Sequence, residues 1–378
     1  MASPVVSIVR FDGENGPSFG RALELAGLGD IVSRGDRVLL KPNQHGGHGF
    51  TNPDVLKAGA RWAFEAGAAE VWIGDGPVWC MLDAGPYFTT TGLRGACEAT
   101  GAKELNFHAG QYRVIHPGCP DLPETIGISE YLYEADVIIN LPVMKTHFNT
   151  LVTLGIKNLK GCIRPIDKKT LHEMELNAGI AEVCRLIAER VTATVVDASI
   201  GYEGMGPGGA TEVGVGLLLA SDDVVAVDTV TCHLMGIEAC RSRLIRFCAE
   251  RGVGEMDISR IAIVGEDPAE HRQEFKLPYR VMAEEFPNLR LCTEQACSGC
   301  AMNLLRAMEI ARQAGQSFTC DTVVIGPCVE TEGQALLVGR CTKPGWDGAP
   351  HVEGCPPTVD AIRVAMTGIE ADETVPRS

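Results

Sequence analysis

Cysteine, lysine and histidine are the residues whose placement in this chain points to chemistry. Cys297-Ser-Gly-Cys300 lies where a short apolar run should hand over to a helix, and Gly299 allows the tight bend that brings two thiols together. Cys328, Cys341 and Cys355 follow in Ile-Gly-Pro-Cys, Val-Gly-Arg-Cys and Glu-Gly-Cys-Pro-Pro. Strand ends in an open parallel sheet share one edge, so cysteines distant in sequence would converge there. Four thiolates satisfy either a cubane iron-sulfur cluster or a structural zinc, with plain structural cysteines as the bland alternative. Zinc sites generally use two close pairs, whereas here one pair joins singletons about forty and fifty-five residues away, a spacing that suits a cluster better.

A second constellation follows the apolar run Asp136-Val-Ile-Ile-Asn140. Leu141-Pro-Val-Met-Lys-Thr-His147 and Gly155-Ile-Lys-Asn-Leu-Lys-Gly161 set Lys145, His147, Lys157, Asn158 and Lys160 close to the end of a core strand. Lysines framed by Pro, Gly and apolar residues predict an anion site, with solvated lysines neutralising nearby acids as the bland alternative. Lys41 and Asn43 end another strand, as does Asp75. His147 is the candidate proton donor or acceptor, because its ordinary pKa lies near neutrality. Asp197 or Glu203 is expected to orient it. The glycines at 204, 206, 208 and 209 predict a flexible loop whose amides could bind an anion. No phosphate loop or dinucleotide fingerprint is present. His45 and His48 have no nearby acid, so they read as loop residues more readily than as metal ligands. Ser221 or Asp222 is the expected cap of the next helix; Asp228, beyond it, is not explained by capping.

The elements that must position these groups alternate. Val5–Arg10, Arg37–Leu40, Glu70–Ile73, 136–140, Ala193–Asp197, Val213–Ala220 and Ile261–Val264 read as strands. Ser18–Leu28, Pro53–Ala66 and Leu171–Arg190 read as helices. This predicts an α/β protein with a mostly parallel sheet covered by helices. After the polar stretch 268–287 the pattern restarts, so the chain divides into a large α/β domain (1–287) and a smaller α/β cluster-binding domain (288–378).

The cysteines of 297–355 resemble the proximal-cluster domain of nickel-iron hydrogenase small subunits, with their C-x-x-C, later Gly-x-Cys and Gly-Cys-Pro-Pro. That resemblance implies a 4Fe-4S cluster on Cys297, Cys300, Cys341 and Cys355; Cys292 and Cys328 are spare thiols that could replace one ligand or lie just behind the ligands, and Cys320 reads as core. Lys41-Pro-Asn43, the 140–147 and 155–161 segments, Gly206-Pro-Gly-Gly209 and Ser221-x-Asp-Val-Val-Ala-Val-Asp228 resemble the family called domain of unknown function 362, over about residues 5–265. Its members often carry ferredoxin-like motifs, which this chain replaces with the hydrogenase-like set.

Fifteen cysteines is an odd count in a chain too long to need a disulfide framework. The eight before residue 290 read as small buried hydrophobes. A net charge of −16 disfavours nucleic acid and anionic lipid. No leader and no long apolar run appears, so the protein is expected in the cytoplasm. The leading expectation is a redox enzyme that takes a small anionic substrate and exchanges electrons with a redox partner protein. The competing expectations are an electron-transfer or cluster-donating accessory protein, and non-redox catalysis with the cluster as Lewis acid.

Overall fold

The computed structural model describes residues 3–44, 48–206, 209–293, 296–326, 335–342 and 349–370. The predicted strands form as β1 (Val5–Arg10), β2 (Arg37–Pro42), β3 (Glu70–Asp75) and β4 (Lys103–Asn106). A separate ribbon follows, β5 (Tyr112–Ile115) with β6 (Ile126–Ser129). The large sheet resumes with β7 (Val137–Leu141), β8 (Val143–His147), β9 (Leu151–Val152), β10 (Ala193–Met205), β11 (Gly209–Ser221) and β12 (Ala262–Gly265). Its order is β12-β1-β11-β10-β7-β2-β3-β4, with β8 and β9 branching from β10. Strands β7, β2, β3 and β4 run parallel, whereas β11 is antiparallel to both neighbours.

Both faces are covered. In β2, Leu39 joins an apolar cluster with Trp72, Leu105 and Ile138, while Val38 and Leu40 join a second with Val71, Ile73 and Ile139. Burial on both faces is why these strands read as continuous apolar runs. The helices that matter to the site are α1 (Ser18–Leu25), α2 (Pro53–Glu65), α3 (Leu154–Asn158), α4 (Pro165–Glu173), α5 (Leu176–Ile187), α6 (Val224–Leu234) and α7 (Arg243–Glu250). Helix α2 starts where Asn52 accepts the Asp54 amide at 2.9 Å and Pro53 supplies a ready-made first residue.

A second sheet, all parallel, runs β13 (Arg290–Cys292), β14 (Thr322–Ile325), β15 (Ala335–Val338) and β16 (His351–Val352). Helices α8 (Ser298–Gln313) and α9 (Val359–Thr367) accompany it. Leu305, Val338 and Ile362 belong to the same apolar cluster as Leu39 and Ile138, so the small sheet seats directly on the large body.

Four expectations need correction. The helix expected over 171–190 is broken at Met174 and Glu175, both extended; the Glu175 carboxylate accepts the Ala178 amide and starts α5 afresh. The glycine-rich loop is instead a hairpin of β10 and β11, described except at 207 and 208. Its glycines serve close packing: a Cβ at Gly201 would lie 2.6 Å from the Phe275 ring, and one at Gly206 would meet the Thr146 carbonyl. The Gly204 amide donates to Lys276 O at 2.8 Å, so it is not offered to an anion. Helix α6 is capped by Asp223, which accepts from the Val225 and Ala226 amides, while Ser221 donates to the Val5 carbonyl. Lastly, Cys97, Cys162, Cys184, Cys232 and Cys248 are buried as expected, but Cys80 and Cys240 are exposed.

Candidate functional site

Parallel pairing aligns Lys41 of β2 with Asn140 of β7, and Asp75 ends the neighbouring β3. A cavity of about 230 Å3 opens beside these strand ends, lined by Lys41, Asn43, Asp75, His147, Lys157, Asn158, Lys160, Lys168 and His172 among others. Lys41 is 1% exposed; its ammonium meets Asp75 Oδ1 at 2.7 Å and donates to Asn158 Oδ1 at 3.0 Å. Asn158 Oδ1 also accepts from Asn43 Nδ2 at 3.0 Å. Asp75 is held by the Gln44 and Gly76 amides, both at 2.8 Å. Among the described residues it is the only carboxylate lining the cavity.

Among the described residues no carboxylate lies within ion-pair distance of Lys157, Lys160 or Lys168. Lys168 donates to the Gly76 carbonyl at 2.7 Å and sits 2.8 Å from His108 Nε2; Lys160 sits 2.7 Å from His172 Nε2. Burial brings Lys160 and Lys168 each down to about 7, and pushes Lys157 well below the lysine range with help from Lys160 and Lys145. Burial, then Lys160 and Lys157, bring His172 down to about 4, so it is neutral at pH 7 and can accept from Lys160. Several buried amines crowded around one acid make a site that a small anion would stabilise.

The sign of the pH dependence follows. A lysine whose folded pKa is near 7 binds fewer protons than the unfolded chain between about 7 and 10.4. Its contribution therefore disfavours the folded state increasingly as pH falls from about 10 to 7. An anion bound by the ammonium forms reverses this. Affinity for inorganic phosphate or a small carboxylate is expected to be highest at or below pH 7 and to weaken toward pH 9. Calorimetry in buffers of different ionisation enthalpy should show proton uptake on binding; a heat independent of buffer would contradict it.

Strain and a buried acid set the lysine-bearing segment. Leu151 and Leu154 have φ of +68° and +47°, a left-handed conformation that side chains rarely adopt and that costs about 1–3 kcal/mol each. Asp228, 1% exposed, accepts the Gly155 and Ile156 amides at 2.7 and 2.9 Å and pins the start of α3, which carries Lys157 and Asn158. Burial pushes its carboxyl up to about 8 despite those amides. Asp228 is therefore a positioning residue for the lysine segment.

Not every expected residue meets the cavity. Lys145 is fully buried one layer behind it, donating to Asn43 Oδ1 at 2.9 Å and Gly49 O at 2.6 Å. Asp197 accepts from Asn52 N and from Ser199 N and Oγ, and Glu203 from Lys276 N; neither lines the cavity, and no bond to His147 is among these. His147 is 4% exposed, and its Nδ1 accepts the Asn149 amide at 2.9 Å. Residues 45–47 lie outside the described residues, so His45 goes with them; His48 is exposed. Sequence reasoning missed Lys168 and His172. Their spacing of four on one helix face is the available signal, but the expected helix begins at Leu171 and leaves Lys168 outside it.

The second constellation lies at the C-terminal rim of the small sheet. Cys297 precedes α8, Cys341 follows β15, and Cys355 follows β16. The Cys300 thiol hydrogen-bonds Cys297; that bond, then burial, then the neighbouring Cys355 and Cys341 push it up. Cys297 is brought down to about 5, by the Cys300 bond first and then by the Gly299 and Cys300 amides and the Arg243 charge. Gly339 has φ +99°, and a Cβ there would lie 2.7 Å from Cys300 Sγ, so only glycine lets the strand end approach. Arg340 N donates to Gly354 O at 2.9 Å and ties the Cys341 and Cys355 segments together. Arg243 donates to Cys355 O at 3.2 Å and pairs with Glu175 at 3.5 Å, so it touches both the rim and the segment after α4. Its buried Nε has no partner among the described residues. Cys292 packs with Val324, Ala335 and Leu337; Cys320 is half-buried; Cys328 lies outside the described residues.

These features define an α/β protein with an amine-lined cavity at its strand ends. Residues 38–233 match the family described as domain of unknown function (DUF362), and the chain belongs to that family. It is also 33% identical over 224 residues to the thylakoid-associated protein sll1697 of Synechocystis sp., across 57% of this chain and 67% of that protein. No solved structure matches it. The family span holds all the cavity lysines and ends before the four rim cysteines. Among the described residues no helix is long and apolar enough to cross a membrane.

Proposed function

We propose that the protein is a cytoplasmic iron-sulfur oxidoreductase, with a 4Fe-4S cluster held by Cys297, Cys300, Cys341 and Cys355 and a small anionic substrate in the lysine cavity. What supports this reading is that Cys297 bonds the Cys300 thiol, that Cys341 and Cys355 are near enough to act on it electrostatically, and that Arg243 touches both Cys355 and Glu175. The donor set fits such a group. Four cysteines, a glycine that clears space beside Cys300 and an unpartnered buried Arg243 Nε suit an anionic cluster. Zinc fits less well: Zn–S bonds of about 2.3 Å draw tetrahedral thiolates to roughly 3.8 Å apart. Among the described residues no three cysteine sulfurs lie within 4.8 Å of one another.

When bound, the cluster would supply or accept single electrons. The chain's own residues do the rest. Lys160 and Lys168 hold the anionic group of the substrate, and Asp75 pairs with Lys41 and fixes it beside Asn158. Because His147 Nδ1 accepts an amide, the neutral ring carries its proton on Nε2, from which it can donate to substrate. The cavity falls below the 300–1,000 Å3 usual for larger ligands, which favours a compact metabolite.

The exposure of Cys341 and Cys355 supports the alternative of an electron-transfer accessory protein, because it puts the rim within reach of a partner. Thermal melts of the anaerobically purified chain with inorganic phosphate and small carboxylates separate the two. The enzyme reading expects a rise in Tm that Lys168→Met abolishes; an accessory protein shows no rise with any of them.

A further inference from the structure

We propose that Lys157 is a catalytic nucleophile, and that its amine forms an imine with the keto carbon of a small 2-oxo acid. The proposal deepens the reading of the cavity as an anion site and rests on it. Each neighbouring lysine is occupied: Lys41 by Asp75, Lys160 by His172, Lys168 by two carbonyls and His108, Lys145 by Asn43 and Gly49. Lys157 is 9% exposed and lines the cavity, yet among the described residues no hydrogen bond or ion pair engages its amine. Asp228 and the strained turn at Leu154 fix the short helix that presents it. A desolvated amine beside other cationic amines stays neutral and nucleophilic, and burial followed by Lys160 and Lys145 holds this one well below its usual range. The same neighbours suit a carboxylate. A carbonyl next to a carboxylate, in a cavity of about 230 Å3, is a short 2-oxo acid.

The step balances. The Lys157 lone pair adds to the keto carbon, and the carbonyl electrons move to oxygen, which takes a proton to give a carbinolamine. Loss of hydroxide, protonated to water, leaves a protonated imine. One proton is consumed overall, and Lys160, in contact with His172, can supply it.

The full chain is incubated with pyruvate or 2-oxoglutarate, reduced with cyanoborohydride and analysed by peptide mass spectrometry. The peptide containing Lys157 is expected to gain the oxo acid less one oxygen atom, with labelling at least roughly tenfold above that of other lysines. Lys157→Met, which replaces the neutral amine by an uncharged side chain of similar length, should abolish that label while its Tm stays within a few degrees of the parent. Lactate, which has no keto group, should compete without labelling. If lactate or phosphate raises Tm but no oxo acid labels Lys157, the imine is overturned and the anion site stands. If no anion binds, both fail. Labelling spread evenly over surface lysines also overturns the proposal.

Discussion

Asp75→Ala is expected to destabilise the anion-free protein by about 3–5 kcal/mol while tightening its grip on small anions. Asp75 is 2% exposed and faces Lys41, itself 1% exposed, at 2.7 Å. Removing one partner of such a pair leaves a buried charge that water cannot reach, which costs far more than an exposed pair contributes. The Gln44 and Gly76 amides lose their acceptor as well. The same change removes the only acid among the described residues that line the cavity, so an incoming anion meets more net positive charge. Opposite movements of stability and affinity are the diagnostic, read from urea unfolding and from titration with phosphate. Asp75→Asn, which keeps an oxygen acceptor, should fall between. A variant that loses stability and anion affinity together would mean that Asp75 is only a scaffold for the cavity.

Cys300→Ser is expected to lower iron bound per chain by more than roughly tenfold, since even the outer partners of metal ligands are worth 10–100-fold in affinity. Cys300 is 7% exposed, bonds Cys297 and has Cys341 and Cys355 as electrostatic neighbours. The small sheet should also melt earlier, because the free energy of ligating a metal centre is also folding free energy. Cys292→Ser is the control. Cys292 sits in a separate apolar cluster, so its serine variant should keep its iron. Equal iron loss from both variants would indicate general unfolding and not ligation.

Much of this architecture was legible in the sequence, for particular reasons. Strands β2, β3 and β7 are buried on both faces, so their apolar runs stood out, and the strand-end rule put Lys41, Asp75 and the 140–147 segment at one edge. The short strand that precedes Cys341 was legible likewise. Other features depended on tertiary contacts that no local pattern carries. The glycines at 201 and 206 resemble a loop until Phe275 and Thr146 are seen against them. Asp197 and Glu203 resemble free acids near a histidine until Asn52, Ser199 and Lys276 are seen to use them. A helix expected only from Leu171 leaves out Lys168, whereas α4 begins at Pro165 and carries both Lys168 and His172. Asp228 had no local explanation because its partners, the Gly155 and Ile156 amides, lie some seventy residues earlier.

The central claim is that four cysteine sulfurs share one iron-sulfur core. Iron and acid-labile sulfide analysis of the chain purified without oxygen, together with electron paramagnetic resonance after dithionite reduction, tests it most directly. The account predicts close to four irons and four sulfides per chain and a signal of a reduced cubane. Stoichiometric zinc, or a metal-free chain that takes up no iron and sulfide on reconstitution, would contradict it.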